Sequence, residues 1–319
     1  MATRISKHGL ALWILAGLVL GGCDQAGQSR LTGLSGDPSF HQRVAWKAED
    51  FFSDPKVIGL CRAIEAEDVA KMAEWIAAGA DVNARGKDNM TPLLWAFPDD
   101  KLERFRLLLE HGADPNVPFA GNFGVPRGFV RGDSVTCLAA KTVFQGYFEA
   151  VMAFGGDPNL EDFMGDLVLH QIVHAPIPDA EAEERVRLAI ARGANLDAFG
   201  KSARNAGMTA AVFLRPKIVL ILLESGLDPS GYDEFERQRL VHYCLRGQAH
   251  IRDSHSEHAT LYQELLTWLK DHGEDIDEAR ADLARWATYK GTPAMIKDLY
   301  DRDIQARKER EAAARRGNG

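Results

Sequence analysis

The chain has 319 residues, 45% of them hydrophobic, 26% charged and 8% aromatic, a profile that excludes collagen-like, disordered and membrane-bundle classes. Its 38 Lys and Arg stand against 46 Asp and Glu, and a net charge of −8 argues against the basic footprint of a nucleic-acid binder. Four cysteines in so long a chain do not make a disulfide framework.

Residues 1–22 read as an export signal. Arg4 and Lys7 precede the apolar and glycine run Leu10–Gly22, which is shorter than the ~20 residues that span a bilayer as a helix. The run ends Leu20-Gly21-Gly22-Cys23 and resembles a bacterial lipobox. That resemblance implies cleavage before Cys23 and a lipid anchor on its thiol. Asp24 resembles the inner-membrane retention signal of enterobacterial lipoproteins, which implies the periplasmic face of the inner membrane. Removing Arg4 and Lys7 takes the net charge to −10. Residues 23–39, rich in Gly, Ser and Gln, are expected to be a flexible tether. Residues 40–55 are expected to cap the N-terminal end of the folded region, with a helix over Phe40–Phe52.

One phrase then recurs: Gly79-Ala-Asp-Val-Asn83, Gly112-Ala-Asp-Pro-Asn116, Gly155-Gly-Asp-Pro-Asn159, Gly193-Ala-Asn-Leu-Asp197, Gly226-Leu-Asp-Pro-Ser230 and Gly273-Glu-Asp-Ile-Asp277. The spacings are 33, 43, 38, 33 and 47 residues. Each phrase follows an amphipathic run, such as Leu102, Phe105, Leu108 and Leu109 before Gly112. A glycine there can close the helix in the left-handed region, and Asp and Pro turn the chain away. Upstream, Thr91-Pro92 reads as an N-cap followed by proline in the first helical turn. Weaker versions stand at Ser134–Ala140, Leu167–His170, Thr209–Phe213 and Leu240–Tyr243.

The 33-residue unit Arg85–Val117, with Thr91-Pro92-Leu93 and Leu107-Leu-Leu-Glu-His-Gly-Ala-Asp114, resembles an ankyrin repeat. The expected fold is an all-α ankyrin-repeat α-solenoid of six to seven helix-turn-helix units over residues 56–300, with loop insertions. Residues 301–319 are expected to be a charged tail beyond a polar terminal unit.

Catalytic and metal motifs find little support. Cys61, Cys137 and Cys244 lie in the first, third and sixth units, too far apart to pair, and read as buried free thiols. His170 and His174 share a helical face, but Gln171 between them cannot act as a base, so they read as a structural histidine and a surface contact. His250, His255 and His258 supply three imidazoles for a zinc enzyme, the alternative from another functional class, but in a polar insertion that fixes no geometry. No phosphate loop, nucleophile elbow or dinucleotide fingerprint is present. The chain is therefore read as a non-enzyme without metal, cofactor or small-molecule substrate.

An array without chemistry offers an extended concave surface. The insertion 118–133 brings Phe119, Phe123 and Phe129 beside Arg127 and Arg131, residue types typical of binding hot spots. The competing arrangement tucks these phenylalanines onto the array, where they only order the loop. Later loops repeat the theme with Phe163, Phe199, Lys201, Arg204, Tyr232 and Phe235. Glu65, Pro98, Asp99, Lys141, His174 and Arg246 form an expected row along the first helices. The expected partner is another protein, bound by a monomer that touches the membrane only through lipid on Cys23. Resemblance to bacterial lipoproteins of helical repeats, which sequester secreted phospholipase effectors, implies an inhibitor or immunity protein. A general envelope scaffold or stress adaptor is the alternative.

Overall fold

The computed structural model describes residues 39–123, 129–233 and 235–317; the signal, Cys23 and the tether to residue 38 lie outside them. The described residues form helices and loops without strands, and an isolated bridge joins Glu161 and Leu167. The chain divides into two compact units, one ending at Gly156 and one beginning at Asp157.

The first unit opens with two short helices, α1 (Phe40–Arg43) and α2 (Ala48–Phe51). Three helix pairs follow: α3 (Pro55–Glu65) with α4 (Val69–Ala77), α5 (Pro92–Ala96) with α6 (Leu102–Glu110), and α7 (Val135–Lys141) with α8 (Tyr147–Ala153). The second unit holds α9 (Val168–His174) with α10 (Asp179–Ala191), α11 (Ala206–Val212) with α12 (Pro216–Glu224), α13 (Leu240–Ala249) with α14 (Glu257–Asp271), and α15 (Ile276–Trp286) followed by α16 (Pro293–Gly317). Within each unit helices stack on their counterparts: α3 on α5 and α4 on α6 in the first, α9 on α11 on α13 and α10 on α12 on α14 in the second.

Two first helices start where the sequence places their caps, at Thr91 and Ser134, whereas α11 starts before the expected Thr209, on Asn205. Thr91 Oγ1 accepts from the Leu94 N–H at 3.1 Å, Ser134 Oγ from Cys137 at 3.2 Å and Asn205 Oδ1 from Met208 at 2.9 Å. Each satisfies a backbone donor that the helix leaves open. At the other end, Gly112 and Gly193 close α6 and α10 with φ of +83° and +86°, where a side chain would be strained.

The last residue of the recurring phrase joins one repeat to the next. Asn83 Nδ2 donates to the Gly112 carbonyl at 2.8 Å, and Asn83 Oδ1 accepts from the Asp114 N–H at 2.7 Å. In the second unit Asn159 makes the same pair of bonds to Gly193 and Asn195, at 3.0 and 2.7 Å. A glycine turn with its backbone turned outward thus receives both a donor and an acceptor from its neighbour.

Two arginines do comparable work inside. Buried Arg104 donates to the carbonyls of Ile64 (2.9 Å), Ala96 (3.4 Å) and Pro98. Arg215 donates to those of Ala175 (3.1 Å) and Ile177 (3.3 Å) and pairs with Asp179. Each reaches carbonyls at or just past the C-terminal ends of first helices, where backbone acceptors outnumber the helix's own donors.

Cys61, Cys137 and Cys244 are buried and unbridged, Cys137 at the third residue after its cap, as Leu94 is after Thr91. Burial pushes the thiols of Cys61 and Cys244 up, the opposite of an activated nucleophile.

The expected charged tail is folded as part of α16. Asp303 accepts from Arg285 Nε (3.1 Å), Trp286 Nε1 (2.9 Å) and Tyr289 Oη (2.6 Å), and Arg307 reaches buried Asp282. The charges of this segment are therefore partly spent on α15. Burial raises the Asp282 carboxyl, but the His242 imidazole 3.5 Å away and the charge of Arg307 outweigh it and hold the group below its usual range.

Candidate functional site

In the first unit the first-helix face is already covered. Residues 39–52 lie along α3 and α5 and against the 118–133 insertion, as two short helices rather than one helix over the array's end. Charge and backbone bonds seat the segment. The Phe40 N–H points at both oxygens of Asp99 (2.9 and 3.0 Å), Arg43 pairs with Asp99 at 3.3 Å, and Ser39 Oγ donates to Glu65 at 3.1 Å. His41 Nε2 donates to the Trp95 carbonyl at 2.8 Å while its ring stacks on the Trp95 indole at 4.4 Å. Burial holds the His41 imidazole below its ordinary pKa, against the opposing bond to Trp95.

The insertion completes this cluster. Phe129 lies 5.8 Å from Phe40 and 5.7 Å from Trp46; Phe123 lies 5.9 Å from Trp46 and 5.8 Å from Phe119. The rings meet edge-on or tilted, the favourable arrangements for aromatic pairs. Phe119, Phe123 and Phe129 are all buried, Phe129 to 1% exposure. This corrects the expectation that they face a partner: the aromatic residues of 40–52 give them an apolar surface within the chain, so they order the loop. Arg127 lies outside the described residues, and Arg131 is exposed. Glu65 and Asp99, expected to be exposed along the row, accept bonds from residues 39–43; Pro98 is buried, and Lys141 pairs with Asp133 at 3.0 Å.

The second unit presents the opposite arrangement. Its inter-repeat loops carry Phe163, Phe199 and Phe235 at 45%, 40% and 65% exposure, with Met164 exposed beside Phe163. These loops are neighbours. Lys201 donates its N–H to the Gly165 carbonyl at 3.1 Å, and a Cβ added to Gly231 would lie 3.3 Å from the Phe199 ring. Lys201 is exposed. Tyr232 is half-buried between Arg239 and Lys308, whose cationic groups lie 5.8 and 5.9 Å from its ring centre.

Further into this face, His174 stands partly exposed at the end of α9. Its ring is 4.8 Å from that of Phe213, and its Nδ1 is 3.9 Å from Asp166. Burial holds its pKa down, opposed by the Asp166 charge. Arg204 precedes α11 and donates its Nε to Tyr243 Oη at 3.0 Å. Tyr243 Oη in turn donates to buried Asp233 at 3.2 Å. Asp233 also accepts the backbone N–H groups of Phe235 and Gln238, at 2.9 and 2.7 Å, and so fixes the loop that carries Phe235.

Among the described residues no three His, Cys, Asp or Glu side chains converge as a metal site, and the His255 side chain is 94% exposed. His170 and His242 are buried and bonded to backbone, His170 Nε2 to the Arg204 carbonyl at 2.8 Å and His242 Nδ1 to the Arg239 N–H at 3.0 Å. No helix among the described residues is long and apolar enough to cross a membrane.

The ankyrin-repeat family model matches residues 88–118. Among solved structures the chain is similar to an ankyrin repeat domain from Acinetobacter baumannii AYE. The TM-score is 0.51 at 18% identity, over 65% of this chain and 96% of that one. No curated protein matches the sequence.

Proposed function

Proceeding from an ankyrin-repeat protein, we propose that the chain binds another protein through the loop tips of its second unit. The single observation that carries this reading is the row of exposed Phe163, Phe199 and Phe235 on adjoining loops. Ankyrin repeats are protein-interaction modules, and aromatic residues including Phe are enriched at protein interfaces relative to the rest of the surface. The first unit's first-helix face has its aromatic contacts satisfied by residues 40–52, which supports assigning the partner to the second unit.

The role we assign is that of an inhibitor or immunity protein. It is held at the periplasmic face of the envelope by lipid on Cys23 and sequesters an effector or enzyme acting there. Support comes from the lipobox-like Leu20–Cys23, the polar stretch after it, and a surface in which loop residues of mixed charge flank the aromatic tips. A specific protein surface suits such a mixture better than a polyanion does.

The test is affinity capture of the full chain from its own cells beside a Phe163→Ser, Phe199→Ser, Phe235→Ser variant. The reading expects one partner retained by the parent and lost from the variant, with equal thermal stability. Equal recovery by both would overturn it.

A further inference from the structure

A hollow of about 240 Å³ opens on the same unit between α11, α13 and the loop before α13. We infer that it receives a carboxylate side chain of the protein partner, with Glu236 as the resident group that the partner's carboxylate displaces. This rests on the protein-binding reading and adds the chemistry of the partner's contact.

Two guanidinium groups converge on one acid. Arg246 Nη1 lies 3.0 Å from Glu236, and Arg204 Nη2 lies 3.9 Å from its other oxygen. Arg204 is positioned before any partner arrives. Its guanidinium carbon sits 5.2 Å from the centre of the Tyr243 ring, and its Nε is spent on Tyr243 Oη. Arg246 follows Tyr243 by three residues on α13 and so faces the same side. Buried Asp233, behind Tyr243, balances one guanidinium and Glu236 the other, so a carboxylate that takes the place of Glu236 meets the same two cations. Ala211, Val212 and Leu214 also line the hollow. Apolar wall and guanidinium pair together match the methylene stem and charged head of a glutamate or aspartate.

Glu236 suits the part of a placeholder. Exposed ion pairs contribute little, so exchanging one carboxylate for another costs little. Its neighbour Phe235 is the most exposed of the three tips, which places an apolar anchor beside the acidic contact.

The experiment titrates the purified full chain with acetyl-Leu-Glu-Leu-amide and with its glutamine counterpart, observing the side-chain Nε–H resonances of Arg204 and Arg246 by NMR. The glutamate peptide should shift both resonances saturably, and the glutamine peptide should not. Replacing Arg246 by Met should abolish the response. Glu236→Gln should tighten the glutamate peptide by about fivefold, the scale of one lost exposed competitor. Equal shifts with the two peptides, or weaker binding by the Glu236→Gln chain, would overturn the inference. So would saturation by inorganic phosphate below the concentration that the glutamate peptide needs. Failure here with capture still dependent on the phenylalanine tips removes the pocket and leaves the binding reading standing; loss of that dependence removes the binding reading itself.

Discussion

Phe129→Ala is the substitution that separates a structural insertion from a binding one. The ring is buried to 1% exposure and touches Phe40, Trp46 and Phe97, with ring centres 5.8, 5.7 and 6.4 Å away. Burial of such a ring contributes about 1.5–3 kcal/mol by area alone. The cavity left among rings that cannot collapse raises the loss to about 3–4 kcal/mol. The loss falls first on residues 40–52, because two of the three ring contacts are theirs. Urea denaturation monitored by tryptophan fluorescence reads it directly, since Trp46 and Trp95 both lie in the cluster. Native-state hydrogen exchange of residues 40–52 then localises it. Phe235→Ala is the matched control: at 65% exposure it should cost less than about 0.5 kcal/mol. A Phe129→Ala protein no less stable than Phe235→Ala, or unaltered exchange in 40–52, would refute the packing argument.

Asn83→Ala removes a donor and an acceptor between adjacent repeats, and should cost about 1 kcal/mol in urea denaturation because the site is exposed; no measurable loss would mean the inter-repeat ladder is decorative. Stability should also fall as pH drops from 7.5 to 5.5. Burial lowers the folded pKa of His41, His170 and His242 below the ordinary histidine value of 6.5, so the unfolded chain binds more protons in this range. The contribution is complete above about pH 7 and is lost as pH falls through 6.5, and a flat urea midpoint across the range would contradict it. Cys23→Ser should move the protein from the membrane fraction to the soluble one and remove the lipid mass, whereas a parent chain found soluble would sink the anchor.

What the sequence made legible was local chemistry. Thr91, Ser134 and Gly112 announce helix starts and ends because capping and positive φ are satisfied within a few residues, and the structure places them so. The inter-repeat role of Asn83 and Asn159 was hidden: their partners lie 29–36 residues away, though their return at the end of each phrase was the signal. The 118–133 insertion shows why aromatic content alone does not locate an interface. Phe123 and Phe199 look alike in sequence, yet one meets Trp46 and Phe51 while the other meets solvent. The clue lay in residues 40–52, whose Phe40, Trp46, Phe51 and Phe52 are more aromatic than an end cap needs. Glu236 escaped notice because a lone acid in a polar loop is ordinary; only the convergence of Arg204 and Arg246, from separate elements, gives it meaning.

A partner protein that contacts the loop tips of the second unit comes within crosslinking reach of residues placed there. Photo-crosslinking in the native cell tests that contact most directly, with p-benzoylphenylalanine placed in turn at Phe199, at Phe235 and at Phe154, a partly exposed control at the end of α8 in the first unit. One adduct of the same mass is expected from positions 199 and 235, and none from 154. An adduct at 154 with none at the two tips would contradict that contact.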